Sequence, residues 1–389
     1  MTLDGLVAFR SEPVAHRSRT NGPRTTGAVR QRAAPPTSSS TLPAGATPRQ
    51  ASDTVCAMAM TKATPTPRRH HYLPQFYLAG FTLSGQRDGE LWALSVKDGR
   101  RWKGRPETLG HEKNFYRVDE IDGVAPDAVE QLFAKLESDI APVLRTLREQ
   151  QALPDRGSGE FDLLVNFVAL MATRVPRLRS ALQDFIGSIA REMAHLTVAS
   201  PHAFRSAVDS ARKAGADLAQ EPDYEAMREF IEGDHYRVEV DQSWLIGQIF
   251  QSVDILLPLL GSRQWSLLIA DEDCDFVTSD NPVAVSWSEP RPRGFFGPAF
   301  GLRRTDVTFP LSRGLVMLGR FEGDPVILRA NRRMVATVNY RTSANGERLI
   351  CSPREEFPCL RPDGIGTSAD LIDAIKRRAV ERGERKPPT

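Results

Sequence analysis

Over residues 126–151 apolar side chains fall at Val129, Leu132, Phe133, Leu136, Ile140, Val143, Leu144 and Leu147. Spacings of three and four residues place them on one helical face. Pro142 predicts a bend within this helix, and Pro154, Gly157 and Gly159 end it. A second, longer helix is predicted over 161–198, through Leu164, Val165, Val168, Met171, Val175, Leu178, Leu182, Phe185 and Ile189, with a kink at Pro176. Residues 201–219 and 223–232 read as smaller, more exposed helices. The densest apolar stretch, 242–260, reads as the most buried helix. Gln248, Gln251 and Asp254 interrupt it, so it is not read as a membrane span.

On either side of this helical block the period shortens. Residues 91–96 and 101–104 are short alternating runs around Lys97-Asp98-Gly99-Arg100, a hairpin signal. Residues 114–118 read as a third strand. Residues 74–79 read as a short helix, with Pro74 in its first turn and Gly80 at its end. In the last third, strands are predicted over 265–270, 276–278, 283–287, 306–310, 315–319 and 349–351. A helix is predicted over 331–346, and 290–301 is a Pro/Gly-rich loop. The order strands, helices, strands predicts an α+β fold. In it a helical block packs against a β layer built from N-terminal hairpin strands and C-terminal strands. Residues 69–355 read as a single domain, followed by a polar tail, 356–389, with a short helix near 369–381.

Composition changes the picture at the N-terminus. The chain has 389 residues, a formal net charge of +2 and 40% hydrophobic residues, enough for a sizeable core. Residues 1–68 carry nine basic and three acidic side chains, so the remainder sums to −4. This segment is rich in Pro, Ser, Thr, Ala and Arg, with Phe9 its one aromatic residue. It cannot bury enough apolar surface to offset its ordering entropy and reads as a disordered extension. A basic nucleic-acid arm and an organelle transit peptide are the other readings, and Met60 is a natural-looking alternative start. The charge of the core gives no indication of nucleic acid as a partner, although clustering in three dimensions could still make a basic face. The four cysteines form no C-x-x-C pair and no zinc-ligand spacing, so no metal-ligating residues are assigned, and a reducing cytoplasm fits best. No run of 18 apolar residues and no signal-peptide core occurs, so no membrane partner is expected.

Two motifs are dense enough to carry chemistry. They are His70-His71-Tyr72-Leu73-Pro74-Gln75-Phe76-Tyr77-Leu78 and Phe276-Val277-Thr278-Ser279-Asp280-Asn281-Pro282-Val283. Together they resemble a bacterial family known only as domain of unknown function 4238. The resemblance extends to Asn114-Phe115-Tyr116, Arg174-Val175-Pro176-Arg177 and Phe309-Pro310-Leu311-Ser312, and spans about residues 69–353. It implies no established activity, so substrate, cofactor and partner stay unknown.

Each motif has a structural and a functional reading. His70 and His71 point to opposite sides of an extended chain. His71 is either a packed, hydrogen-bonded histidine beneath the helix that Pro74 starts, or a base or ligand in a site. Asp280 and Asn281 suit an Asx-type turn before Pro282. Ser279, Asp280 and Asn281 could instead present three polar groups at a sheet edge. Arg174 and Arg177, three apart on one helix, could fork an anion, or ion-pair with a helical glutamate. Asp271, Glu272, Asp273 and Asp275 lack the calcium-loop pattern and read as a solvated turn. Walker A, G-x-S-x-G, H-E-x-x-H and dinucleotide glycine patterns are all missing, which removes those enzyme classes.

Two functions follow. The first is a binding module in which both motifs are structural. The second is a hydrolase or nuclease-like enzyme for a phosphate-containing or other anionic substrate. There His71 is the base, Asp280 orients it or binds a metal, and Gln75, Ser279, Asn281, Arg174 and Arg177 bind substrate. One stability prediction follows from composition alone. A chain started at Met60 unfolds at the same urea concentration as the full chain, because residues 1–59 offer almost no apolar area to bury; a lower midpoint would show that they pack on the core.

Overall fold

The computed structural model describes residues 69–117, 127–215, 222–234, 236, 238–271, 273–289 and 296–384. The 1–68 extension, Val118 and residues 290–295 of the Pro/Gly-rich loop lie outside the described residues.

The chain opens with β1 (Arg69–His71) and α1 (Gln75–Ala79), the short helix that Pro74 starts and Gly80 ends. The hairpin follows as β2 (Leu91–Ser95) and β3 (Arg101–Gly104), paired antiparallel with Leu94 opposite Arg101. Gly99, at φ 72°, takes the left-handed turn position that a side chain disfavours. β4 (His111–Lys113) returns antiparallel to β1. Of the strand expected over 114–118, the described residues 114–117 form a turn instead. Asn114 has φ 57°, a left-handed conformation that ends the strand at Lys113.

The helical block begins with α2 (Ala128–Gln150) and α3 (Gly159–Thr173), which Ser158 caps by accepting from Phe161 N. The long helix expected over 161–198 is two helices, α3 and α4 (Pro176–Val198), and not one kinked helix. Proline disfavours helical geometry at the preceding Val175 and lacks an N–H, so the helix stops and restarts with Pro176 at its first position.

Two compact units share the chain. The smaller falls within residues 193–236 and contains the end of α4, α5 (Pro201–Lys213) and α6 (Tyr224–Glu232). Ser200 and Asp223 cap its helices, accepting from Ala203 N and Ala226 N. Val198, Phe204 and Ile231 form its apolar core, and Tyr224 Oη donates to Val198 O at 3.1 Å.

In the larger unit the chain continues through α7 (Gln242–Gly261), β5 (Gln264–Ala270), β6 (Thr278–Ser279), β7 (Ala284–Trp287), β8 (Thr305–Ser312), β9 (Leu315–Arg320) and β10 (Ile327–Ala330). It ends with α8 (Arg332–Asn345), β11 (Leu349–Ser352), β12 (Pro358–Arg361), β13 (Gly364–Thr367) and α9 (Ser368–Glu384). The fold is α+β. The N-terminal hairpin pairs with C-terminal strands in the order β3-β2-β11-β6. A further sheet runs β10-β5-β9-β8-β7, and β12-β13 is a separate ribbon.

α7 is not the most buried helix. Leu245, Ile246, Ile249 and Leu260 are buried, but Ile255 is 66% exposed. α3 takes the central place because it packs against both α2 and α7, burying Phe161, Leu164, Val165 and the run Phe167–Met171. α7 is the one described helix whose length and composition would suit a membrane span, which is weak evidence on its own.

The two sequence motifs meet inside this core. Tyr77, on α1, is fully buried, with its ring stacked on Phe309 of β8 at 5.6 Å. Its hydroxyl donates to Pro310 O at 2.8 Å and shares a hydrogen bond with Thr278 Oγ1 at 2.8 Å. Tyr77→Phe keeps the ring and strands both oxygens. It should lower unfolding stability in urea by about 2 kcal/mol, and an unchanged midpoint would mean that water replaces the hydroxyl.

Candidate functional site

The β1–β4 pair sets which histidine faces where. His70 lies opposite Glu112 and His71 opposite His111. Side chains alternate along a strand, so His70 turns inward and is fully buried. Its Nδ1 accepts from Tyr116 N at 2.8 Å, and its ring stacks on Tyr116. The packed, bonded histidine is therefore His70. His71 faces the other way, half-buried, with Nε2 3.2 Å from Glu107 O and its ring edge-on to His111 at 5.4 Å. A carbonyl only accepts, so Nε2 carries the proton and Nδ1 is left as an acceptor. Burial pushes the His71 pKa below the ordinary 6.5, the Glu107 carbonyl opposes this, and the charges of His111 and Arg174 lower it further. The ring is thus neutral at pH 7.

His71 and Gln75 share a cleft of about 180 Å³ with Phe76, Arg87, Glu130 and Glu137. Gln75 is the first residue of α1, while Glu130 and Glu137 lie two turns apart on one face of α2. Burial raises the Glu130 pKa above its ordinary value, with the charge of Arg174 opposing. Arg174 stands behind this cleft. It is 1% exposed, pairs with Glu137 Oε1 at 3.0 Å and donates to His71 O at 2.5 Å. Its guanidinium lies 4.7 Å from the ring centre of Phe133 and 5.6 Å from that of Tyr116. Of its two sequence readings, the geometry matches the internal ion pair with a helical glutamate.

The second motif builds a different cluster. Asp280 is fully buried and accepts backbone N–H bonds from Glu347 at 3.0 Å, Arg348 at 3.0 Å and Leu349 at 3.3 Å. Burial raises its pKa, and these amides oppose the rise. Its carboxylate thus holds the α8–β11 turn, not the amide two residues on that an Asx turn would use. Ser279 closes the local turn instead, accepting from Asn281 N at 3.3 Å and donating to Asn281 O at 2.9 Å. Asn281 Nδ2 donates to Asn345 O at 3.2 Å, and Asn345 Nδ2 returns a bond to Asn281 O at 2.8 Å. Gly346 is small for a reason: a Cβ there would lie 3.0 Å from the Cβ of Ser279.

Arg177 joins this second cluster, reaching Asn345 O at 3.4 Å. The interruption between α3 and α4 puts Arg174 and Arg177 in different surroundings, so they do not form one fork. His71 and Gln75 therefore come together, with Arg174 behind them. Ser279, Asp280, Asn281 and Arg177 gather elsewhere, and no hydrogen bond joins His71 to Asp280. Among the described residues no three His, Cys, Asp or Glu side chains form a metal-ligand set. Sequence reading passed over Arg87, Glu130 and Glu137. The available signal was the i, i+7 pair of glutamates beside the apolar stripe of α2.

Asp280→Ala leaves three turn amides without an acceptor and should cost about 3 kcal/mol in urea unfolding, whereas Asp280→Asn keeps one acceptor and should cost less. Equal, small losses in both would show that the turn holds without this carboxylate.

The profile of a family described as "Protein of unknown function (DUF4238)" matches residues 69–356. Neither the curated proteins nor the solved structures contain a match. The match covers well over half of the chain and takes in β1, both motifs and β11. The chain belongs to the DUF4238 family.

Proposed function

We propose that this domain is a binding module for a small polar ligand, with the cleft at His71 as its site. One observation carries the reading: a neutral imidazole with a free acceptor nitrogen and a carboxyl of raised pKa line the same polar cleft as Gln75. They offer an imidazole acceptor, a carboxyl group and an amide within one small volume. At about 180 Å³ the cleft is smaller than the roughly 300 Å³ at which pockets for whole drug-sized ligands begin. It suits one group of a ligand, an amide or a hydroxyl. In this reading Asp280, Ser279, Asn281 and Arg177 act as structure. Cys274, Cys351 and Cys359 are free and buried, which supports a reducing, cytoplasmic setting.

Hydrolysis of a phosphate-containing or other anionic substrate is the second reading. It is favoured by the tautomer that Glu107 O imposes on His71, because Nδ1 is then placed as a base, and by Arg87 on the same wall. The orienting group is that carbonyl, since the carboxylate of Asp280 is committed to three amides.

The sign of the pH dependence tests the site. His71 should titrate by NMR with a midpoint below 6.5. Ligand bonding to Nδ1 is complete above that midpoint and lost as pH falls through it. A thermal-shift screen of amides, polyols and amino acids should yield compounds that stabilise the wild type and lose their effect in His71→Ala and Glu130→Gln. Shifts that survive both substitutions place the ligand elsewhere. Turnover of generic phosphodiesters or esters that disappears in His71→Ala at unchanged melting temperature selects the second reading.

A further inference from the structure

Outside the His71 cleft, Arg148 is a cation whose bonding the fold leaves incomplete. It lies near the end of α2, partly buried, and donates from one terminal nitrogen to Leu311 O of β8 at 3.0 Å. Among the described residues its buried Nε has no hydrogen-bond partner and no carboxylate pairs with it. Burial pushes its pKa down to about 10, with Tyr77 opposing. A guanidinium withdrawn from water without a counter-ion is costly. The chain nevertheless makes room for it: a Cβ on Gly80 would come within 2.5 Å of the Arg148 guanidinium.

Arg148 forms part of the wall of two clefts. One, of about 390 Å³, already contains Asp271 and Asp275, and its Arg313 is paired with Asp275 at 2.9 Å. That cleft has no surplus of positive charge. The other, of about 340 Å³, lies between α1, the turn segment after it and α2. Arg87 and Arg145 also line it, against the single acid Glu149. Neither of these arginines makes an ion pair or hydrogen bond with a described residue. Arg145 and Arg148 are three apart on α2 and so share a face. Phe76, Ala79 and Ala141 supply an apolar wall.

We propose that this cleft binds a small molecule bearing a phosphate group. Arg145, Arg148 and Arg87 hold the phosphate, and Phe76, Ala79 and Ala141 pack its organic part. Guanidinium groups match phosphate oxygens in geometry, and the partly desolvated setting strengthens each bond. A bound anion would also supply the counter-charge that Arg148 lacks. The site does not depend on the reading at His71, although the two clefts share Phe76 and Arg87.

Isothermal titration of the full chain with phenyl phosphate and with inorganic phosphate tests this. The expected result is 1:1 binding that weakens with added salt, with phenyl phosphate the tighter ligand because of the apolar wall. Arg145→Gln removes a guanidinium that holds nothing in the fold and should weaken binding roughly tenfold. Gly80→Ala keeps every arginine but displaces the Arg148 guanidinium, and should also weaken binding, with only the small loss of melting temperature that the broken Leu311 bond brings. Arg329→Gln, on the β10 edge strand, removes the same charge elsewhere and should leave affinity within about twofold. The proposal is overturned if the wild type binds neither ligand, or if Arg329→Gln costs as much as Arg145→Gln. It is also overturned if Arg145→Gln binds as well as wild type, or if the loss follows His71→Ala instead.

Discussion

One hydroxyl closes 201 residues of chain. Tyr77 Oη, fully buried in the core, is held between Thr278 Oγ1 and Pro310 O. A buried hydroxyl must be partnered, and these partners come from different sheets. Thr278 belongs to β6 of the four-stranded sheet and Pro310 to β8 of the five-stranded one. The ring of the same residue stacks on Phe309 and meets Phe81 and Phe167 edge-on. The opening motif and the Thr-Ser-Asp-Asn-Pro motif are thus joined through Tyr77 and Thr278. This junction orients α1, whose outward face then lines both polar clefts.

Arg174 imposes a second constraint of the same kind. Its buried charge is met by Glu137 of α2 and by the carbonyl of His71, and its flat face by Phe133 and Tyr116. A helix interior could not offer that geometry. The stop before Pro176 releases the chain at Arg174 and lets the guanidinium reach back to β1. Glu137 is in turn drawn to the rear of the His71 cleft, leaving Glu130 as the carboxyl without an arginine of its own. The chemistry of that cleft is therefore set partly by a proline 105 positions further along the chain than His71.

The parts of the fold written in local signals were legible in the sequence. Asp98-Gly99 marked the hairpin turn, Pro74 and Gly80 bracketed α1, and the spacing from Val129 to Leu147 gave α2. What depended on distant partners was not. Pro176 was visible, but a proline can either stop a helix or bend one; here the stop is accompanied by the long-range bonds of Arg174. Asn114 ends β4 by a backbone conformation that its neighbours do not announce. α7 has the apolar content of a core helix, yet how much of it is covered depends on what α3 leaves open. Asp280 looked like a local turn former because its neighbours Ser279 and Pro282 are turn residues. Its partners, 67 to 69 positions away, leave no mark near it.

The same cases show why polar motifs mislead when they are taken as sites. A group can act on a ligand only with bonding capacity that the fold has not used. Asp280 accepts three amides and has little left. Arg174 spends its charge on Glu137. His71 uses one ring nitrogen and keeps the other, and Arg148 makes a single bond from a guanidinium with five donors. Sequence shows which residues are polar, but it does not show how much of each is already spoken for. In this fold α2 brings two groups with capacity left, Glu130 and Arg145, fifteen residues apart, to the two clefts that share Phe76 and Arg87.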